Sequence, residues 1–168
     1  PEVVRRINET FGCPFQIVYG QTETSPVITQ HHGTDGIDLV AETIGQPLPQ
    51  LDVSIRRVGD GSVAAPDETG EICVRGYSVM LGYNDDAKAT AAAIDAEGWL
   101  HTGDLGAMNA RGYLKVTGRV KEMIIRGGEN LFPAEIENCL LEHPEVGEVA
   151  VVGLPDEKWG EIVAAVIR

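Results

Sequence analysis

The chain has no apolar run approaching the about 20 residues that a membrane-spanning helix needs, so a transmembrane segment is excluded as an expectation. It is poor in positive charge: 13 Lys and Arg stand against 26 Asp and Glu, a net charge of −13. Nucleic acids and anionic membrane surfaces select basic faces, so neither is an expected partner. Anionic small molecules stay open, because they need only a local positive field. Cysteine is scarce. Cys13, Cys73 and Cys139 are odd in number and show no metal-type spacing, so they read as buried free thiols in a reducing, cytoplasmic setting. The start, Pro1-Glu2-Val3-Val4-Arg5-Arg6, lacks the pattern of a secretory leader. It also lacks Met, and Ile167-Arg168 falls within a strand pattern, so both ends read as cut.

With 168 residues, 43% of them apolar, a packed core is within reach and wholesale disorder is not expected. Val3, Val4, Ile7 and Phe11 recur at helical spacing over Glu2–Phe11, and Gly12 ends that helix. Phe15–Tyr19 reads as a strand with a polar loop at its C-terminal end, the pattern of an open α/β sheet. Leu51, Val53 and Ile55 alternate with polar residues, as does the run Glu71–Arg75. Gly and Pro punctuate this region, which predicts a small antiparallel, barrel-like sheet. A helix is expected over Asp85–Ile94. Strands are expected at Trp99–Leu100 and Tyr113–Thr117, with a hairpin turn at Asn109–Gly112. Met123–Ile125 reads as a strand and Gly127–Asn130 as a loop. Pro133 opens a helix running to His143, and Glu148–Val152 and Ile162–Ile167 read as strands. The fold class is mixed α/β. Residues 1–40 form the end of an α/β subdomain, 41–118 a β-rich subdomain, and 119–168 the start of an α+β domain.

Three short words stand out: Tyr19-Gly20-Gln21-Thr22-Glu23, Thr102-Gly103-Asp104, and Gly118-Arg119-Val120-Lys121. Together they offer one residue of each type that a nucleotide site would need. Tyr19 can stack on a purine, and Thr22 can donate to a phosphate. Glu23 is a hard oxygen ligand for Mg²⁺. Asp104 can accept from ribose hydroxyls, and Arg119 can lie against the same sugar. Each word also has a plainer reading. Tyr19 can cap a core, Thr-Gly-Asp is a common tight bend, and Gly127-Gly128 can serve a turn with positive φ. His31-His32 reads as an exposed loop pair rather than a metal site, and Trp159 as partly buried or as a surface for coenzyme A.

In this order, the words resemble the second half of the adenylate-forming (AMP-binding) enzymes: acyl-CoA synthetases, luciferases and peptide-synthetase adenylation domains. Gly70-Glu71, Gly82-Tyr83 and Gly98-Trp99 fit the same pattern. The phrase from Met123 to Pro133 looks most like fatty or medium-chain acyl-CoA synthetases. The resemblance implies an ATP-dependent acid–CoA ligase that uses ATP/AMP, Mg²⁺ and coenzyme A on a carboxylic acid. It implies that Tyr19, Gly20, Gln21 and Thr22 contact adenine and phosphate, that Glu23 holds the metal, and that Asp104 and Arg119 hold the ribose. It implies a hinge at Lys121, where a solvated loop lysine is the alternative. It also implies that Gly127, Gly128 and Asn130 face the adenylate or the pantetheine arm, and that Tyr19, Gln21 and Ser25 lie near the acyl group.

The departures are as informative. No Ser/Thr/Gly-rich phosphate loop precedes Tyr19, and Lys158 is not in the family's Gly-Lys setting. The reading is therefore an internal piece of such a ligase, inactive alone. Two alternatives stay open: an adenylation domain that loads a carrier protein, and a non-catalytic piece that self-associates through open sheet edges.

Overall fold

The structure is a computed structural model that describes residues 2–168; of Glu2 it describes the backbone alone. The chain divides into two compact units, residues 1–102 with 106–116 and residues 103–105 with 117–168. Among the described residues, no helix is long and apolar enough to cross a membrane.

The first unit opens with helix α1 (Glu2–Phe11), which has the predicted bounds. Gly12 ends it with φ +60°, donating to Asn8 O at 2.9 Å. Three short strands, β1 (Val18–Tyr19), β2 (Thr29–Gln30) and β3 (Gln46–Pro47), form an antiparallel sheet in the order β1-β2-β3. Between β2 and β3 lies α2 (Ile37–Glu42), which the sequence reading does not place. Six residues are too few for a helical period to register. Its Val40 and Ala41 are buried, and Asp38 accepts from Arg5 of α1 at 2.8 Å.

The β-rich region is antiparallel as expected, but it is an open sheet rather than a closed barrel. Strands β4 (Leu51–Arg56), β5 (Gly70–Gly76), β6 (Leu100–Met108) and β7 (Leu114–Arg119) follow in sequence order. Alternation decides which face is covered: Leu51 and Ile55 of β4 are buried, and Asp52 is exposed. Ile28, Ile55, Ile72, Val74 and Leu114 form the core cluster, with Tyr19, Ile44, Val53 and Met108 packed against it. The predicted turn closes β6 to β7, with Gly112 N donating to Asn109 O at 2.9 Å. Before β6, α3 (Ala87–Ala93) is capped by Asp86, whose side chain accepts from Ala89 N, the usual remedy for unpaired amides at a helix start.

In the second unit, β8 (Ile124–Arg126) and β9 (Glu129–Leu131) form a tight hairpin, and α4 (Pro133–Leu141) follows. The expected loop is therefore shorter: Gly127-Gly128 alone makes the turn, and Glu129 and Asn130 pair with Arg126 and Ile125. Pro133 sits in the first turn of α4 as predicted. Strands β10 (Val149–Asp156) and β11 (Gly160–Ile167) complete a sheet in the order β10-β11-β8-β9. α4 packs on β10, and Glu137 accepts from Val151 N at 2.8 Å.

Burial departs from expectation at a histidine and at two cysteines, and β1 is shorter than the expected Phe15–Tyr19 strand. His31 is buried, not exposed: its Nε2 lies 2.8 Å from Thr43 Oγ1 and its Nδ1 lies 3.2 Å from Ile17 O. Only Cys73 is a buried thiol, while Cys13 and Cys139 are exposed. Burial pushes the Cys73 thiol up to about 12. Native protein at pH 8 should therefore release two thiols to iodoacetamide quickly, and Cys73 only on unfolding. Mass spectrometry that finds Cys73 labelled as fast as the other two contradicts this packing.

Candidate active site

In the first unit the loop after β1 is a sharp turn. Gly20 is required there, since a Cβ would come 1.8 Å from Pro26 O. Thr22–Thr24 form one 3₁₀ turn closed by a capping box, in which Gln21 N donates to Thr24 Oγ1 at 3.1 Å. Thr24 is buried and faces inward, which leaves Thr22 exposed. Tyr19 packs on the core cluster but stays partly exposed, so its plain structural role is real.

Glu23 is half-buried, and the Tyr83 hydroxyl donates to its Oε1 at 2.9 Å. That bond raises the Tyr83 phenol above its ordinary value, because ionisation would set two anions together. The main chain adds a second tie, Met80 N to Glu23 O at 2.8 Å. Sequence reading attaches no role to Tyr83. Its place in Gly82-Tyr83 was visible, but a contact across sixty positions is not written in any local pattern. A carboxylate oxygen is a hard donor suited to Mg²⁺, so this side chain fits that ion by chemistry.

The strand leading to Thr102 is tied down within the first unit. The Thr102 hydroxyl donates to Ile72 O at 2.8 Å. The Trp99 ring carries the guanidinium groups of Arg56 and Arg75 at 4.8 and 4.5 Å from its centre, a favourable arrangement for cations on an indole.

In the second unit, Asp104 and Arg119 come together. Arg119 Nε lies 3.1 Å from Asp104 Oδ1, with the carboxylate largely buried and the guanidinium largely exposed. Arg119 also borders a cleft of about 350 Å³ that includes Gly118, Glu122, Phe132 and Glu137. Lys121 is exposed in a 3₁₀ turn, Val120–Glu122. Gly127 has φ +62° and lies under Trp159, so a Cβ there would meet the indole at 2.7 Å. Gly128 and Asn130 are exposed. Trp159 is also exposed, with Arg126 and Lys158 over its ring. Tyr19, Gly20, Gln21, Thr22 and Glu23 thus gather in one unit, and Asp104, Arg119, Lys121, Gly127, Gly128 and Asn130 in the other.

Comparison with known proteins shows the family. Residues 1–84 match the family model described as AMP-binding enzyme, and residues 135–168 match that of the AMP-binding enzyme C-terminal domain. The chain is 43% identical to the human mitochondrial medium-chain acyl-CoA ligase ACSF2, over 100% of the chain and 28% of that protein. It is 48% identical to an indoleacetate–CoA ligase from Aromatoleum aromaticum, over 99% of the chain and 32% of that protein. Among solved structures it resembles the o-succinylbenzoate CoA synthetase (MenE) of Bacillus subtilis in complex with the acyl-adenylate intermediate OSB-AMP. The TM-score is 0.81 at 38% identity, covering 99% of this chain and 33% of that one. The chain therefore spans about a third or less of the length of these relatives, and it belongs to the AMP-binding enzyme family.

Proposed function

We propose that the chain is part of an AMP-forming acid–CoA ligase that activates a carboxylic acid with ATP and passes the acyl group to coenzyme A. The observation that carries the reading is the Asp104–Arg119 pair at 3.1 Å. A carboxylate beside a guanidinium can accept from both ribose hydroxyls while the cation orients the sugar. The family match and the whole-chain likeness to CoA ligases support it.

In the first step the substrate carboxylate attacks the α-phosphorus of ATP, and pyrophosphate leaves. In the second the CoA thiol attacks the acyl-adenylate, and AMP leaves. Tyr19 would give the purine an apolar partner, with Gly20 and Gln21 beside it. Thr22, exposed on its turn, would donate to the α-phosphate, where donors aimed at developing charge act most strongly. Glu23, oriented by Tyr83, would hold Mg²⁺, which when bound neutralises charge on the phosphates. Between the steps, Lys121 would act as the hinge that brings the Gly127–Asn130 segment to the adenylate. Residues 1–40, 41–118 and 119–168 would be the corresponding subdomains.

Losing a single preorganised donor costs roughly 3–4 kcal/mol, about a thousandfold in rate. The chain alone carries no Ser/Thr/Gly-rich phosphate loop, so it should show no ATP–pyrophosphate exchange. In the longest reading frame that contains it, Asp104→Asn should raise the KM for ATP by about tenfold or more. Robust exchange by the chain alone, or an unchanged KM in the variant, contradicts the reading.

Proline fixes φ and would stiffen a hinge. Lys121→Pro in the longer protein should slow thioester formation while leaving pyrophosphate exchange nearly unaffected. Equal loss of both half-reactions removes the hinge role.

The acid is proposed to be a medium-chain fatty acid, on the phrase from Met123 to Pro133 and the likeness to a medium-chain ligase. A second reading, an aryl acid, is favoured by the likeness to an indoleacetate ligase. A series of fatty acids alongside indoleacetate should give the highest kcat/KM at medium chain length; a preference for the aryl acid decides for the second reading.

A further inference from the structure

A second cluster of chemically able side chains lies outside the nucleotide words. Glu71 and Cys73 are two positions apart on β5, so they share a face, and His101 sits on the neighbouring strand β6. One ligand atom from each lies within 4.8 Å of the other two. Cys73 Sγ is 3.6 Å from His101 Nδ1, and Glu71 Oε2 is 2.7 Å from that same nitrogen.

One ring nitrogen serves only one of these neighbours well at a time. As an N–H it donates to Glu71 and cannot accept the thiol proton. As a lone pair it accepts from Cys73 and faces the carboxylate oxygen at hydrogen-bond distance. A cation bound by all three removes that conflict, because each group then presents a lone pair to it. The spacing suits such an ion. Zinc bonds of about 2.3 Å to sulfur and 2.0–2.1 Å to nitrogen, at a tetrahedral angle, set the two ligand atoms about 3.6 Å apart. Glu71 must withdraw by roughly 0.7 Å to reach its own bond length, a small change for a side chain with three rotatable bonds.

The surroundings point the same way. With Nδ1 turned to an ion, the proton sits on Nε2, which faces Asp95 Oδ2 at 3.7 Å. A carboxylate beyond a metal-bound histidine is the common outer arrangement. Asp95 is itself held, accepting from Glu97 N and Trp99 N at 3.0 and 2.8 Å and lying 3.5 Å from Arg56 Nη1. The His101 side chain is about one-third exposed and Glu71 about one-fifth, so an ion can enter from that side and keep water in its fourth position. One thiolate and one carboxylate balance a divalent charge.

We propose that Glu71, Cys73 and His101 form a binding site for a divalent transition-metal ion of the borderline-soft class, Zn²⁺ or Co²⁺. On binding, the Cys73 proton leaves to solvent and the sulfur–metal bond forms. The occupied site ties β5 to β6 directly before Thr102. Binding is read with the metal alone and without nucleotide, so its outcome is separate from that of the ligase reading.

The probe is Co²⁺, whose bond to a thiolate gives a charge-transfer band in the near ultraviolet. Titration of the chain should saturate at one equivalent, and Zn²⁺ should displace the colour. The band should persist when Cys13 and Cys139 are both changed to Ser, and vanish in Cys73→Ser. Because a buried substitution can unfold the chain, His101→Gln supplies a second variant at a partly exposed position. With circular dichroism unchanged, it should bind Co²⁺ at least about tenfold more weakly. No band in the wild-type chain, a band that survives Cys73→Ser, or folded His101→Gln with unaltered affinity overturns the proposal.

Discussion

A carboxylate taken out of water must be compensated, and Asp104 imposes that requirement on this chain. Its side chain is about one-tenth exposed, and an uncompensated charge at that depth would be strongly destabilising. Arg119, from the next strand, lies against it. The pairing leaves the cation largely exposed, so the pair presents a polar face while its carboxylate stays fixed. The first unit has ties of its own just before this point in the chain. Thr102 is bonded to β5, and Trp99 is packed under two arginines just upstream.

A similar economy governs the turn after β1. Glu23 sits in a turn too short to fix a side chain unaided. Tyr83 and the amide of Met80 hold it from a distant segment, so the candidate metal ligand is oriented by packing rather than by its own loop. Gly20 permits that turn, because the carbonyl of Pro26 occupies the space a side chain would fill.

Where a pattern repeats several times, the sequence was readable. The stripe of α1 and the alternation of β4 predicted those elements within a residue or two. Asn109–Gly112 and Pro133 carry local chemistry that marks a turn and a helix start, and both stand where expected. Short or distant features were not readable. α2 is only six residues long. Whether a sheet closes depends on strand number and tilt, which alternation does not report. The burial of His31 rests on Ile17 and Thr43, far along the chain, and one loop histidine looks like its neighbour until those partners are known. The exposure of Cys139 follows from which face α4 turns to β10, and Glu71, Cys73 and His101 meet only because β5 and β6 are adjacent. Candidate residues such as Glu23 and Asp104 could be proposed from sequence, whereas the contacts that orient them could not.

Asp104 and Arg119 are proposed to hold the sugar of a bound adenylate. The most direct measurement is a crystal structure of the longest protein that contains this chain, soaked with AMP. Ribose hydroxyls are expected within hydrogen-bond distance of the Asp104 carboxylate, with Arg119 beside the same sugar. A nucleotide bound elsewhere, with Asp104 and Arg119 making no contact to it, would contradict the proposal.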